Sequence, residues 1–361
     1  MALGKLVVAI VLTALVAGGL ATFLTTTVTR PGAKETVEIV DSAGRLIEIP
    51  YQPKTVVLHG DAAELMKAIG VDLNLIVGVS KYMAQDTWLF PVLSKKEVVG
   101  SCFSPNYEKI IELQPDIVIA YQRWPGVEEL EQHLKPAGIE PVIIDGYKPD
   151  KFRSEIMVLG RIYGREEEAR KLWEFWEGYL NMLENRVGKL GPEEIPDVYF
   201  ESWTTWKTTT AANQGWWNRG IEIGGGNNIA ALLSSSAYVT VDPEWVVEKN
   251  PDVIVKVASY SRSKDNEFCL RETRERILAR DELQTVKAVK SGAVYAVDPD
   301  IATGPKGIIG ALWYAKFFHP ELFENLNPTE VQRCYFENFL NVRYSENWCW
   351  VYPTTPQPWK D

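Results

Sequence analysis

Histidine and cysteine, the side chains that most often bind metals or act as nucleophiles, are few and widely separated in this sequence. The three histidines are His59, His133 and His319, and no two are spaced as ligands of one metal. A transition-metal site normally needs several such side chains that converge. His133 and His319 fall within or at the end of predicted helices, which indicates structural roles. Only His59, in a turn between a predicted strand and helix, has the position of a ligand contact.

Motifs for catalysis are also missing from the sequence. There is no GxxxxGK[ST] phosphate-binding loop and no GxSxG nucleophile turn. The triple glycine at 224–226 does not follow a strand as GxGxxG, so it does not predict dinucleotide binding. We therefore predict no catalytic residue, no metal site, no cofactor and no enzymatic activity.

The four cysteines, Cys102, Cys269, Cys334 and Cys349, have no CxxC spacing that would indicate a zinc or redox motif. In an oxidising compartment they are candidates for disulfides. Cys334 and Cys349 are closest in sequence and form the expected pair, although four cysteines allow three connectivities.

Aromatic residues, in contrast, are concentrated in polar loops that follow predicted strands. The members of this set are Tyr82, Trp88, Tyr121, Trp124, Trp203, Trp206, Trp216 and Trp217. In open α/β sheets, ligands bind beyond the carboxyl ends of the strands, so these loops are expected to face one cleft. Aromatic rings suit a large, flat or partly apolar ligand. Nearby cations that would offset negative charge on that ligand are Arg123, Lys207, Arg219 and Lys306.

A unit of the sequence occurs twice and indicates how these loops are positioned. Residues 106–120 (NYEKIIELQPDIVIA) recur as residues 242–256 (DPEWVVEKNPDVIVK), with Glu, Glu, Pro and Asp at matching places. Each copy has the pattern of a short amphipathic helix, a Pro-Asp turn and an apolar strand. Glu108 and Glu244 fall in the first helical turns, where the dipole favours a carboxylate. The repeat predicts two similar lobes.

Strands alternate with helices in both halves, which predicts mostly parallel sheets flanked by helices. Between the halves, a proline-free amphipathic stretch from Arg165 to about Lys189 predicts a long helix that connects the lobes; an ordinary surface helix of one lobe is the alternative. The predicted division of the chain is an N-terminal lobe at 37–160, a connecting helix at 161–190, a C-terminal lobe at 191–340 and a tail at 341–361.

The N-terminal segment indicates a membrane. Residues 6–29 carry no charge, and these 24 residues would reach about 36 Å as a helix, enough to cross the hydrocarbon core. Residues 1–30 are therefore predicted to be a secretory signal or an uncleaved transmembrane anchor, followed by a linker at 31–36. The net charge of −10 argues against nucleic acid as a partner.

Several motifs resemble one known family. The runs VVLHGDAAELMKAIG, IVGVS, PNYEKIIELQPDIVIA, YFESW, GGGNNIA, DPEWVVEKNPDVIV and GPKGIIGALWYAKFFHPELF are similar to the iron-chelate and cobalamin substrate-binding proteins of ABC importers, over about residues 36–340. The resemblance implies two Rossmann-like lobes joined by one rigid helix, with the ligand between them. It also implies an extracytoplasmic monomer, anchored or secreted, that delivers its ligand to a permease and its ATPase.

The resemblance also implies roles for individual residues. Glu108 and Glu244 match the glutamates with which the family docks onto its transporter. His59, Tyr82, Cys102, Tyr121 and the segment around Trp203 match its ligand cleft. With the loop residues described above, the predicted ligand-binding set is His59, Tyr82, Cys102, Tyr121, Arg123, Trp124, Trp203, Trp206, Trp216 and Lys306.

The expected ligand is a ferric siderophore or related iron complex, with a corrinoid next and haem third. Two other classes of function remain open. A chelatase or nitrogenase-like redox enzyme has a similar architecture but would need clustered Cys or His in the cleft. A surface receptor or adhesion module would keep the fold without transport.

Overall fold

The strands and helices of the chain form two α/β lobes. The structure is a computed structural model that describes residues 35–258 and 267–359. The predicted signal or anchor at 1–30 lies outside these described residues. Within the two described ranges, no helix combines the length and apolar character needed to cross a bilayer.

The N-terminal lobe begins with a hairpin of β1 (Thr36–Val40) and β2 (Leu46–Pro50). Its other elements are β3 (Thr55–Val57), α1 (Gly60–Ala68), β4 (Ile76–Val79), α2 (Lys81–Gln85), β5 (Glu97–Val98), α3 (Tyr107–Leu113), β6 (Ile117–Ala120), α4 (Val127–Leu134), β7 (Glu140–Ile143) and α5 (Pro149–Tyr163). The sheet order is β5-β4-β3-β6-β7, and every neighbouring pair is parallel. All of β6 is apolar and buried, as expected for a strand covered on both faces.

One helix, α6 (Glu166–Val187), leads to the C-terminal lobe. The elements of that lobe are β8 (Asp197–Glu201), β9 (Lys207–Thr209), α7 (Trp216–Ile223), β10 (Asn227–Asn228), β11 (Tyr238–Thr240), α8 (Pro243–Lys249), β12 (Val253–Val257), α9 (Glu267–Leu278), α10 (Lys287–Ser291), β13 (Val294–Val297), α11 (Pro299–Ala302), α12 (Gly307–Phe318), α13 (Pro328–Cys334) and β14 (Val351–Tyr352). The order is β11-β9-β8-β12-β13-β14, with β10 also paired to β8. Strands β8, β12 and β13 are parallel at the centre, whereas β9, β11 and β14 join antiparallel at the edges. The predicted α/β class with two lobes is confirmed.

Helix α6 contacts both lobes. It packs against α5 on the N-terminal side and against α7 and α12 on the C-terminal side. The buried side chains of α6 are Ala169, Leu172, Trp176 and Leu183, spaced so that they lie on one face. Its 22 residues correspond to a length of about 33 Å.

The two copies of the repeated unit adopt the same structure in the two lobes. Each helix, α3 and α8, ends at a left-handed residue, Gln114 (φ 48°) and Asn250 (φ 46°). The following aspartates also play matching parts. Asp116 Oδ2 accepts a hydrogen bond from Lys54 N at 2.8 Å, and Asp252 Oδ2 accepts one from Asp197 N at 3.0 Å. Each aspartate thus fastens its turn to the start of the neighbouring parallel strand.

The C-terminal tail belongs to the second lobe. Strand β14 pairs with β13, and Trp350 O accepts a hydrogen bond from Asp298 N at 2.8 Å. The expected disulfide between Cys334 and Cys349 is wrong, because all four cysteines are described and none is in a disulfide. The two thiols make separate local contacts, with Asn338 Nδ2 at 3.2 Å and with Val351 O at 3.3 Å.

A buried carboxylate joins the two lobes. Glu64 of α1 is 2% exposed; its Oε2 pairs with Lys306 Nζ, and its Oε1 accepts a hydrogen bond from Tyr335 Oη at 2.8 Å. Burial of Lys306 opposes its protonation, but the charge and hydrogen bond of Glu64, together with the charges of Asp300 and Asp86, outweigh burial, and the pKa of Lys306 is raised. Lys306 therefore remains charged at neutral pH and forms an ion pair between the lobes.

Aromatic packing extends the contact between the lobes. The ring of Trp88, in the N-terminal lobe, lies 5.3 Å from that of Trp348 and 5.7 Å from that of Phe336. Trp350 and Tyr344 complete this cluster from the tail. Stacked and edge-to-face aromatic pairs contribute about 0.5 to 1.5 kcal/mol each beyond their buried area. The tail therefore helps to hold the lobes together.

The buried ion pair predicts an asymmetric response to mutation. Lys306→Met leaves Glu64 charged and buried, so we expect the free energy of unfolding to fall by about 3 to 5 kcal/mol. The double substitution Glu64→Leu/Lys306→Met removes both charges and should recover much of that loss. Denaturant unfolding measures both effects, with the half-exposed Lys135→Met as the control that should change little. Unchanged stability of Lys306→Met would contradict this role.

Candidate functional site

A cavity of about 470 Å³ lies between the two lobes. Its N-terminal side is formed by Asp61, Tyr121, Gln122, Arg123, Trp124, Tyr147 and Lys148. Its C-terminal side is formed by Trp203, Ala212, Asn213, Gln214, Gly215, Trp216, Trp217, Ala237, Tyr238 and Thr303. Tyr121 follows β6 and Trp203 follows β8, so the cavity lies at the carboxyl ends of parallel strands in both lobes.

Tyr121 organises the N-terminal side of the cavity. Its ring stacks on His59 with 3.7 Å between centroids, and it meets Trp124 and Tyr147 edge to face, each at 5.7 Å. Its hydroxyl donates a hydrogen bond to Asp61 Oδ2 at 2.8 Å. The phenol is therefore held by contacts on its face, its edge and its hydroxyl.

Asp61 occupies the floor of the cavity. Burial raises the pKa of Asp61 to about 7; the hydrogen bond from Tyr121 opposes this shift and the charge of Glu64 adds to it. Two glycines with positive φ pack against the side chain. A Cβ at Gly304 (φ 63°) would lie 2.6 Å from Oδ1, and one at Gly146 (φ 71°) would lie 2.7 Å from the Asp61 Cβ. Larger residues would therefore displace Asp61.

Two cations reach the cavity, but they differ in their partners. Lys148 Nζ pairs with Asp145 Oδ2 at 2.7 Å, which offsets its charge. Arg123 is exposed, its guanidinium lies 5.5 Å from the ring centroid of Trp124, and it pairs with no carboxylate among the described residues. Arg123 therefore supplies positive charge that an anionic ligand can use.

Tryptophans form most of the C-terminal side. Trp203 is 56% exposed and meets Trp217 edge to face at 4.7 Å. Trp217 in turn meets Tyr238 at 5.5 Å. Trp216 is buried, and Gly307 packs so closely on its indole that a Cβ there would lie 2.1 Å away. This side thus presents one exposed ring, Trp203, in front of a buried aromatic layer.

Half of the predicted ligand-binding residues meet at this cavity. These are Tyr121, Arg123, Trp124, Trp203 and Trp216. They share a position in loops after strands, or at the start of the helix that follows, which is the signal by which the sequence identifies them.

The other five predicted residues lie elsewhere. His59 is buried behind Tyr121, where its Nδ1 accepts a hydrogen bond from Ala62 N at 3.3 Å, and burial lowers the pKa of His59 to about 3. Cys102 is buried in the core of its lobe, and Tyr82 lies beside a smaller cavity. Lys306 is paired with Glu64, and Trp206 packs on Arg280.

Sequence reasoning misses several residues that line the cavity, among them Asp61, Tyr147, Lys148, Asn213, Trp217 and Tyr238. Asp61 and Tyr147 follow β3 and β7, so the same rule of loops after strands points to them. Trp217 belongs to the aromatic set but is not among the predicted ligand contacts. Tyr238 begins an edge strand and carries no signal in the sequence.

The described residues, 35–258 and 267–359, contain no group of three or more His, Cys, Asp or Glu arranged to hold a metal ion. His133 stacks on Tyr107 at 4.1 Å, and His319 Nε2 lies 2.9 Å from Gly225 O. Both histidines thus make packing or backbone contacts within their own lobes.

The two predicted docking glutamates lie on matching helices. Glu108 is in the first turn of α3 and Glu244 in the first turn of α8, and both are exposed. Neither forms an ion pair with another described residue. Helices that precede strands of a parallel sheet begin at the carboxyl edge, so both glutamates lie on the cleft side of their lobes.

Comparison with known proteins identifies relatives of this fold. An uncharacterized ABC transporter substrate-binding lipoprotein of Bacillus subtilis, YvrC, is 27% identical over 293 residues, covering 80% of this chain and 87% of the relative. A vitamin B12-binding protein of Yersinia pestis is 26% identical over 220 residues, covering 60% of this chain and 74% of the relative. The TroA-like periplasmic binding protein FepB from Veillonella parvula has a similar structure, with a TM-score of 0.71, 22% identity and coverage of 87% of this chain and 99% of that one.

The family model described as periplasmic binding protein matches residues 56–301, which is more than half of the chain. The resemblance inferred from the sequence motifs is therefore confirmed. The chain belongs to the periplasmic binding protein family, whose members are extracytoplasmic substrate-binding proteins of transporters.

Proposed function

We propose that this protein captures a ferric siderophore, or a closely related anionic iron chelate, and delivers it to the permease of an ABC importer. The observation that carries the proposal is the aromatic cavity between the lobes, with the guanidinium of Arg123 at its side. A volume of about 470 Å³ lies within the ordinary range of small-molecule sites.

The lining favours an organic chelate over a bare ion. Seven aromatic residues surround the cavity, namely Tyr121, Trp124, Tyr147, Trp203, Trp216, Trp217 and Tyr238. Aromatic rings recognise ring faces and apolar edges, and they offer few donor atoms to a metal. A catecholate siderophore would present flat rings to these walls, while its own oxygens coordinate the iron.

The charge of the cavity favours an anion. Arg123 has no carboxylate partner among the described residues, and a bidentate guanidinium contact suits a catecholate or carboxylate oxygen. Asp61 lies on the floor, but its pKa of about 7 allows it to be protonated near neutral pH and to donate a hydrogen bond. A neutral Asp61 is compatible with an anionic ligand.

A corrinoid is the second candidate, because one relative is a vitamin B12-binding protein at 26% identity. The aromatic surfaces would also accept a corrin ring. The two ligands differ in charge, however, since cobalamin carries no net anionic headgroup comparable to a ferric catecholate. Dependence of binding on Arg123 therefore distinguishes an anionic iron chelate from a corrinoid.

Substitution of Arg123 distinguishes the ligand classes. Arg123→Gln should weaken a ferric tris-catecholate by roughly tenfold and leave cobalamin binding unchanged, because only the anion loses a charge-assisted contact. Titration of the purified protein, followed by tryptophan fluorescence, measures both. Arg219→Gln, whose guanidinium is paired with Glu222 Oε2 at 2.9 Å, is the matched control. No response to catecholate, hydroxamate, corrinoid or haem ligands would remove the chelate proposal.

Glu108 and Glu244 are proposed to dock onto positively charged residues of the permease. The repeat presents one exposed carboxylate on each lobe, on the cleft side, without a partner among the described residues. Their favourable interaction with the helix dipoles, about 0.3 to 1 kcal/mol each, is compatible with this role. Two matching carboxylates would contact both halves of a symmetric partner at once.

Charge reversal tests the docking proposal. Glu108→Lys/Glu244→Lys should abolish uptake of the chelate by cells and leave its affinity for the purified protein near wild type. The same repeat offers a control, because Glu112 and Glu248 are exposed at matching positions one turn further along α3 and α8. We expect Glu112→Lys/Glu248→Lys to retain most of the uptake. Normal uptake by the first double variant would refute docking at these residues.

A further inference from the structure

A buried charge cluster lies next to the loop that carries Trp203. Glu201, at the end of β8, is completely buried. Arg280 donates to both of its oxygens, at 2.7 Å to Oε2 and 2.8 Å to Oε1, and Lys256 Nζ lies 2.9 Å from Oε1. A bidentate pair of this kind fixes both position and orientation.

The same cluster holds both ends of the loop formed by residues 202–206. At the start, Lys256 Nζ donates a hydrogen bond to Ser202 O. At the end, Trp206 N donates to Glu201 Oε2 at 3.2 Å, and Arg280 lies 4.4 Å from the Trp206 ring centroid. Trp206 has a φ of 59°, a left-handed conformation that a tryptophan adopts only when its surroundings hold it there.

Trp203 lies between these two held ends. More than half of its surface is exposed, and among the described residues its one aromatic neighbour is Trp217. Because so little packing holds the indole, its orientation depends on the backbone of the loop. Arg280 and Glu201 do not line the cavity themselves.

We propose that Arg280 and Glu201 are positioning residues, which fix the 202–206 loop and thereby orient Trp203 toward the ligand. This inference rests on the proposed function, since it takes Trp203 to be a ligand contact. The buried ion pair would then contribute to ligand affinity, although neither Arg280 nor Glu201 contacts the ligand.

The strength of the cluster supports the proposal. Burial alone would raise the pKa of Glu201, but the hydrogen bonds and charges of Arg280 and Lys256 together outweigh burial, and its pKa is lowered. Glu201 therefore stays ionised across the neutral range, and the loop keeps its anchor.

A double-mutant cycle tests whether Arg280 acts through Trp203. The variants are Arg280→Met, Trp203→Ala and their combination, and the probe is a ferric tris-catecholate followed by fluorescence. We expect Arg280→Met to weaken binding by roughly tenfold in the parent protein and by less than about twofold in the Trp203→Ala background. Arg276→Met, near the end of α9 and with a side chain that is 74% exposed, is the control that should not change affinity.

The outcomes separate the inference from the function on which it rests. Equal weakening by Arg280→Met in both backgrounds, or no weakening in the parent, would overturn the positioning role. No binding of the ferric tris-catecholate by the parent would refute the proposed function and with it this inference. Full affinity in Trp203→Ala would refute Trp203 as a contact, and with it the positioning role alone. If thermal unfolding shows that Arg280→Met does not fold, Arg280→Lys keeps the charge but not the bidentate geometry, and the same cycle applies.

Discussion

The position of the two lobes depends on one carboxylate that is buried between them. Glu64 belongs to the first helix of the N-terminal lobe, yet both of its oxygens are satisfied by Lys306 and Tyr335 of the C-terminal lobe. A buried charge is costly without its partners, so any motion that separated the lobes would expose or unpair Glu64. Helix α6, which packs against helices of both lobes, limits the same motion. The cavity between the lobes is therefore preformed, and we expect a ligand to enter it without a large hinge movement.

Preformed walls lower the free-energy cost of binding a ligand in the aromatic cavity. A ligand that enters between fixed walls does not have to supply the free energy of ordering them. On the N-terminal side, His59, Asp61 and Trp124 hold Tyr121 from three directions. On the C-terminal side, Glu201 and Arg280 hold the loop of Trp203. Polar groups around the cavity thus hold its aromatic rings in place on both sides.

Local patterns in the sequence predict much of the fold, and the reason lies in their short range. The repeat at 106–120 and 242–256 specifies a helix, a turn and a strand through caps, periodicity and the Pro-Asp pair, all within a few residues. The rule of loops after strands likewise identifies Tyr121, Arg123 and Trp203. Both signals are local: the repeat adopts the predicted helix, turn and strand, and these three residues line the cavity.

Contacts between residues that are far apart in the chain explain why several predicted ligand contacts lie outside the cavity. The sequence predicts Lys306 as a ligand contact, but in the structure Lys306 pairs with Glu64, which is 242 positions away in the chain. His59 stacks on Tyr121, and Trp206 packs on Arg280, so neither side chain lines the cavity. The tail at 341–361 matches no family motif, yet β14 completes the second sheet and Trp348 packs on Trp88. No local sequence pattern predicts such long-range contacts.

A crystal structure of the protein with a bound ferric tris-catecholate tests the central claim most directly. We expect the chelate to lie between Tyr121 and Trp203, with an anionic oxygen at Arg123. The Cα positions of both lobes should stay within about 1 Å of the unbound arrangement, as in other preorganised complexes. A ligand bound outside this cavity, or lobes rotated about α6 with the pair between Glu64 and Lys306 broken, would contradict it.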